Sequence, residues 1–171
     1  MIWFSPYGRI EGTATKVIIE KIVIDAEVET IYNYLGNSNH AKDWSVYVDH
    51  ITTLNNDTHQ DGEKGSIRRC FKTKNETGMY WDEEILINEK NKRRQLSIYN
   101  MNNFYMSSNN LITEQIYTSQ NGKCEIALSL FLNKNKSNLL EDIKLYYAAY
   151  QISVIFKGNL TRIKRQVENL R

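Results

Sequence analysis

The carboxyl-terminal stretch, residues 138–171, constrains the fold of this chain more than any other feature. It contains no proline. Large apolar residues recur along its second half at the spacing of one helical face: Phe156, Leu160, Ile163, Val167 and Leu170. Residues 145–156 are apolar almost all round, interrupted by Gln151 and Ser153. A helix of this composition is buried on more than one side, so the chain must supply a wall for it to pack against.

The predicted helix is longer than is usual in globular proteins. At 1.5 Å per residue it would span about 50 Å. We therefore expect a break, either at Gly158 or within residues 148–153.

The wall is predicted from the segments that precede the helix. A strand at residues 15–25 leads into a helix that starts near Val28, with Asp25 as its cap and Gly36 as its stop. A second short helix is predicted at residues 39–44. Six strands then follow, at residues 46–54, 64–73, 79–88, 93–101, 107–119 and 123–132. Asn121–Gly122 is the strongest hairpin signal, because both residue types tolerate positive φ. The strand after it alternates, which predicts one face made of Cys124, Ile126, Leu128, Leu130 and Leu132. Short turns between consecutive strands predict an antiparallel meander.

Length and charge limit the class of protein. A chain of 171 residues with 41% hydrophobic residues fits one domain, which we place at residues 15–171 behind an arm at residues 1–14. Residues 1–4 are apolar, and we favour a surface arm over the stub of a membrane anchor. The 22 basic and 20 acidic residues are too balanced to predict a nucleic-acid partner. The basic residues near 64–74 and 90–94 are interspersed with acidic ones and predict a solvated face.

Familiar chemical motifs are missing from the sequence. The three histidines, His40, His50 and His59, lack the spacing of metal ligands, so no metal site is predicted. Neither a phosphate-binding loop nor a nucleophile motif occurs, and no cofactor is predicted. Cys70 and Cys124 predict reduced thiols and a cytoplasmic protein. No apolar run reaches the ~18 residues of a membrane span.

The most suggestive carboxylates are Asp82, Glu83 and Glu84, which are consecutive on one predicted strand. Alternation places Glu83 on the side of Trp81 and Ile85. Buried there, Glu83 would be a possible proton donor or acceptor. The alternative, which we favour, is that Glu83 pairs with an arginine of an adjacent strand. The candidates for that partner are Arg68, Arg69, Arg93 and Arg94.

Several segments carry a resemblance to a known superfamily. They are residues 16–26 (KVIIEKIVIDA), 28–35 (VETIYNYL), 42–48 (KDWSVYV), 61–66 (DGEKGS) and 81–86 (WDEEIL). Together with the element order, they resemble the START-like helix-grip superfamily, in particular its polyketide cyclase/dehydrase and lipid-transport-like group. The resemblance implies an α+β fold in which a seven-stranded curved antiparallel sheet wraps around a long C-terminal helix, with two short helices between the first two strands.

A cavity between sheet and helix is the main functional implication. We expect it to bind a small hydrophobic ligand such as a lipid, a quinone or a polycyclic aromatic. The expected wall consists of Trp44, Tyr47, Trp81, Tyr99, Tyr105, Tyr147, Tyr150 and Val154, with Glu83 as the polar contact. A cyclase- or dehydrase-like enzyme is an alternative. A protein-interaction module is another, in which tyrosines such as Tyr146 and Tyr147 fill the space and an aromatic patch is exposed.

Overall fold

The computed structural model describes residues 14–104, 111–133 and 139–170; the side chains of residues 14–17, 132–133, 139 and 141–148 also lie outside that description. The strands are β1 (Ala14–Ile24), β2 (His50–Thr53), β3 (Ile67–Phe71), β4 (Tyr80–Glu89), β5 (Arg93–Asn102), β6 (Leu111–Gln120) and β7 (Lys123–Asn133). The helices are α1 (Val28–Gly36), α2 (Ala41–Trp44) and α3 (Leu139–Glu168), and a short 3-10 turn, Ser38–His40, precedes α2.

All seven strands form one antiparallel, curved sheet in the order β1-β7-β6-β5-β4-β3-β2. Six of them follow the chain as a meander, while β1 pairs with β7 at the far end. Register shifts in β1 and β4 mark irregularities of the kind that bend a strand. The predicted order of elements and the fold class are confirmed.

Helix α3 packs its apolar face against the sheet and α1. In its second half, Leu160, Ile163 and Val167 are buried among side chains of α1 and β7. Nearer its start, Ile152 and Phe156 pack against Ile18, Leu111 and Leu130. The predicted inner face of β7 is confirmed at four positions, because the clusters that pack on α3 contain Cys124, Ile126, Leu128 and Leu130.

The expected break in α3 does not occur. The helix continues through residues 148–153 and through Gly158. A Cβ atom at position 158 would lie 2.8 Å from Cγ1 of Val46. The glycine therefore allows the segment around Val46 to approach α3 closely, and does not interrupt the helix.

The predicted limits of α1 also need correction. Glu27, not Asp25, occupies the N-cap position, and the backbone N–H of Asp25 donates to Glu168 at 2.9 Å. Gly36 is the last helical residue and does not have the left-handed φ expected of a glycine stop. Its missing side chain instead makes room for Arg94, whose Nη2 would lie 3.0 Å from a Cβ there.

Strand β2 is shorter than predicted, because side chains engage the backbone ahead of it. The Oδ1 atom of Asn159 accepts from the N–H of Val46 at 2.8 Å. Ser45 Oγ accepts from the N–H groups of Tyr47 and Val48 at 3.1 and 2.9 Å. These bonds replace sheet pairing over residues 46–48 and tie the segment to α3.

The state of the cysteines and the apolarity of the helices can be read from the described part of the chain. Cys70 and Cys124 are free and buried. Within the described ranges, no helix is long and apolar enough to cross a membrane.

Candidate ligand cavity

A cavity of about 560 Å³ lies between the inner face of the sheet and α3. Strands β2 to β7 all contribute residues to its wall, including Leu96 and Ile98 of β5. Ile152, Ile155 and Phe156 of α3 close the opposite side. The volume falls within the range of about 300–1,000 Å³ that is usual for small-molecule sites.

An aromatic cluster forms one part of the wall. The ring centroids of Tyr47 and Trp81 are 6.1 Å apart, and Phe104 lies 5.9 Å from Trp81. The Tyr47 hydroxyl contacts the sulfur of Met79 at 3.0 Å. This cluster presents apolar ring surface to the cavity, and the backbone bonds to Ser45 hold Tyr47 in place.

Arg68 and Glu83 bring charge into this apolar wall. They are directly opposite each other on β3 and β4, and Arg68 Nη2 lies 3.5 Å from Glu83 Oε2. Trp81 Nε1 donates to the other oxygen of Glu83 at 2.8 Å. The preferred sequence interpretation, that Glu83 pairs with an arginine of the next strand, is therefore confirmed, with Arg68 as the partner.

Asp61 is a second carboxylate near the same guanidinium. Its Oδ1 lies 3.8 Å from Arg68 Nη1 and accepts from Ser38 Oγ, while its Oδ2 accepts from the backbone N–H of Ser38. Arg68 also donates to Ser38 Oγ at 3.1 Å. One guanidinium thus faces two carboxylates, and the group carries a net negative charge when all three are ionised.

Cys70 lies beside this charged group on β3 and also lines the cavity. Burial raises the pKa of its thiol well above the ordinary value of 9.0, and the nearby Glu83 carboxylate raises it further. The thiol therefore stays protonated at neutral pH and is a poor nucleophile.

The structure brings four of the predicted wall residues together. Trp44, Tyr47, Trp81 and Glu83 all line the cavity. Tyr105 lies outside the described residues, and so does the side chain of Tyr147. Among the described tyrosines, Tyr47 alone belongs to the wall.

The expected wall needs correction at three positions. Tyr99 follows Ile98, which faces the cavity, so alternation turns Tyr99 to the other side of the sheet, opposite Asp82. Tyr150 and Val154 are 72% and 50% exposed. They lie one turn apart on the outer side of α3, while Ile152 and Ile155 face the cavity.

Sequence reasoning missed several apolar members of the wall. Leu96, Ile98 and Met101 of β5 and Ile155 of α3 line the cavity. The alternation of β5 is a usable signal for Leu96 and Ile98, although neither is aromatic like the other predicted wall residues. For Ile155 no such signal existed, because residues 145–156 are apolar on nearly every side.

No protein-family model matches the chain, and no curated protein matches it by sequence. Solved structures do match. A norcoclaurine synthase from Thalictrum flavum, in complex with dopamine and hydroxybenzaldehyde, superposes with a TM-score of 0.66 at 11% identity over 92% of this chain and 88% of its own. Ara h 8.0201 gives a TM-score of 0.63 at 11% identity over 91% of this chain and 99% of its own.

A third match is a two-domain aromatase/cyclase, StfQ from the steffimycin biosynthetic pathway. It has a TM-score of 0.66 at 10% identity over 92% of this chain. This chain spans about half of that protein, 51% of its length. Identities this low establish the fold alone. The chain therefore has the helix-grip fold of these structures.

Proposed function

We propose that this protein binds a small hydrophobic ligand in the cavity between its sheet and α3. The observation that carries the proposal is a space of about 560 Å³ with a largely apolar wall, in which Arg68 and Glu83 form a charged pair. Burying about 200 Å² of apolar ligand surface would contribute roughly 5 kcal/mol before the costs of association are subtracted. Trp44, Tyr47 and Trp81 would supply the ring contacts, and Glu83 and Arg68 the polar ones.

The structural matches support this proposal by analogy. One neighbour with the same fold holds two small aromatic molecules, and another belongs to a biosynthetic pathway. An interaction module without an open cavity would instead have its interior filled. The cavity thus favours ligand binding over that alternative.

The experiment compares the affinity of a neutral fluorescent probe, phenylnaphthylamine, for the native protein and for a variant whose cavity is filled by mutation. Ile98→Trp replaces an aliphatic side chain of the wall with a bulky indole and should lower probe affinity at least about tenfold, because cavity space is lost. Tyr99→Trp makes a similar change at the next residue, on the other side of the sheet, and should leave affinity within about twofold. Equal affinity in the two folded variants would contradict the proposal.

A further inference from the structure

The outer side of α3 carries large apolar residues that are exposed. Leu140, Tyr150 and Val154 are 69%, 72% and 50% exposed. At 3.6 residues per turn they lie within about 80° of one another around the helix axis, on the side away from Ile152 and the cavity. In the sequence, positions 143 and 147 are also apolar and fall at the same helical spacing. We call the side marked by Leu140, Tyr150 and Val154 the outer face; a contiguous apolar surface of this kind marks a contact with another segment or molecule.

The outer face is apolar in the first half of α3 alone. After Val154, the same spacing leads to Lys157, Thr161 and Arg165, which are exposed and polar. The apolar part therefore extends from position 140 to position 154, about 21 Å at 1.5 Å per residue. A segment that covers it must reach the first turns of the helix and stop before Lys157.

Strand β1 brings the start of the chain to this end of α3. The two elements run side by side in the same direction, since Glu168 accepts from the N–H of Asp25 and Ser153 donates to Glu20. From residue 20 back to residue 14, the strand covers about 20 Å, which corresponds to about 13 helical residues before Ser153. Ala14 thus lies beside the first turn of α3, where the outer face begins.

Residues 1–13 of the N-terminal arm lie outside the described residues, but their length and composition suit the outer face. Their apolar residues include Ile2, Trp3, Phe4, Tyr7 and Ile10. Crossing the helix, about 10 Å wide, and following it for about 15 Å from position 140 to position 150 requires about 25 Å. About eight extended residues span that distance. Residues 2–4 can therefore reach Tyr150 and Val154.

We propose that residues 1–13 dock on the outer face of α3, with Trp3 and Phe4 packed against Tyr150 and Val154. The rings provide a large apolar contact area for this docking. The arm is tethered beside the face, so its effective concentration is high, whereas a second copy of the chain would lose translational and rotational freedom. The proposal does not depend on whether the cavity holds a ligand.

Hydroxyl-radical footprinting of the full chain, read by mass spectrometry, tests the docking. Trp3→Ser/Phe4→Ser removes both rings from the arm. Oxidation of Tyr150 and Val154 should then rise at least about threefold, because their covering contacts are lost. Leu54, which is 46% exposed just after β2, is the internal reference and should not change.

A matched control changes polar residues of the same arm. Arg9→Ser/Glu11→Ser should leave the oxidation of Tyr150 within about twofold of the native value, because no apolar contact is removed. A rise as large as that in Trp3→Ser/Phe4→Ser would contradict packing of the rings on the outer face.

The reciprocal variant tests the contact from the other side. Tyr150→Ser/Val154→Ser alters exposed positions and should retain the fold. Oxidation of Trp3 should rise at least about threefold relative to that of Trp44, because the arm loses its docking surface. Arg165→Ser, on the polar continuation of the same side of α3, should leave this ratio unchanged.

Three results would overturn the proposal. The first is unchanged oxidation of Tyr150 when the arm rings are removed in a folded variant, judged by the reference Leu54. The second is unchanged oxidation of Trp3 in Tyr150→Ser/Val154→Ser, which decides the question if the arm variant does not fold. The third is protection of Tyr150 that disappears on dilution of the native chain, because a second copy would then cover the outer face.

Discussion

Two adjacent arginines, Arg68 and Arg69, lie on opposite sides of the sheet and have different roles in this protein. Arg68 points into the cavity wall and pairs with Glu83, which is opposite it on β4. Arg69 points to the other side of the sheet and binds Asp82 through two hydrogen bonds, at 2.7 and 3.0 Å. Alternation along β3 assigns the faces, and the acidic run on β4 supplies a partner on each. The two arginines of β3 and the acidic run of β4 thus form one ion pair in the cavity wall and a second ion pair on the opposite side of the sheet.

Asp82 should make the stability of the protein depend on acidic pH. Burial alone would raise the pKa of its carboxyl, but hydrogen bonds from Arg69 and Asn100, with the Arg69 charge, hold the pKa below its ordinary value of 3.8. A lowered folded-state pKa contributes stability above the unfolded value, and that stability is lost as the pH falls through the folded value. Asp82→Asn should lower the free energy of unfolding by about 1–3 kcal/mol at pH 7. The deficit should shrink below about pH 4.

Denaturant unfolding at pH 7, 4 and 3 measures this effect. Glu125→Gln is the control, since Glu125 forms a more exposed pair with Lys21 and should change stability by less than about 1 kcal/mol. If Asp82→Asn lowers the free energy of unfolding by the same amount at all three pH values, ionisation of Asp82 does not cause the predicted pH dependence.

Among the elements, α3 makes a close contact with the segment around Val46 that the helix sequence does not predict. The helix has 30 residues and runs without interruption past Gly158. The segment after α2 approaches it there, held by the bond from Val46 N–H to Asn159. This contact places Tyr47 in the cavity wall, so one glycine in the helix affects the shape of the site on the neighbouring segment.

A double-mutant cycle tests the contact. Alanine is a better helix former than glycine by about 1 kcal/mol, but in the native chain its Cβ would lie 2.8 Å from Val46 Cγ1. Gly158→Ala should therefore destabilise the native chain or leave it unchanged. In a Val46→Ala background, which removes the obstructing methyl group, the same substitution should stabilise by about 1 kcal/mol. Thermal and urea unfolding of the four proteins give the coupling energy, and purely additive effects would mean that the two residues do not touch.

At the scale of the whole molecule, the sheet closes on α3 from two directions. The meander carries the chain from β2 to β7, and β1 returns to the free side of β7. One apolar cluster joins α3 to α1 and β7, and a second joins it to β1, β6 and β7. The cavity lies beside these clusters, and some cluster residues, such as Leu130 and Ile163, also line the cavity. Its wall is therefore part of the structure that holds the helix in place.

Filling the cavity with ligand should stabilise the entire fold. A ligand that binds the folded state alone, at one hundred times its dissociation constant, raises the free energy of unfolding by about 2.7 kcal/mol. We expect this increase with phenylnaphthylamine in the native chain and little of it in Ile98→Trp. Chemical unfolding at several ligand concentrations measures the increase. A gain of the same size in Ile98→Trp would locate the binding outside the cavity.

The sequence by itself determined the order of elements and much of their inner faces. Period-two alternation on β7 predicted the buried Cys124, Ile126, Leu128 and Leu130, and Asn121–Gly122 predicted the hairpin before them. In the structure both turn residues have positive φ, 50° and 77°. These signals are local, because backbone geometry and the side-chain period act over a few residues. The sequence also predicted that Glu83 pairs with an arginine, because this prediction required only that neighbouring strands carry opposite charges.

Only the tertiary structure decided which residues of α3 face the cavity. Residues 145–156 are apolar nearly all round, so the sequence does not fix the rotation of the helix about its axis. Packing against β1, β6 and β7 set that rotation, turning Ile152 and Ile155 inward and leaving Tyr150 and Val154 exposed. Gly158 was ambiguous for the same reason: a glycine that ends a helix and one that admits a neighbour differ only in what lies beside them.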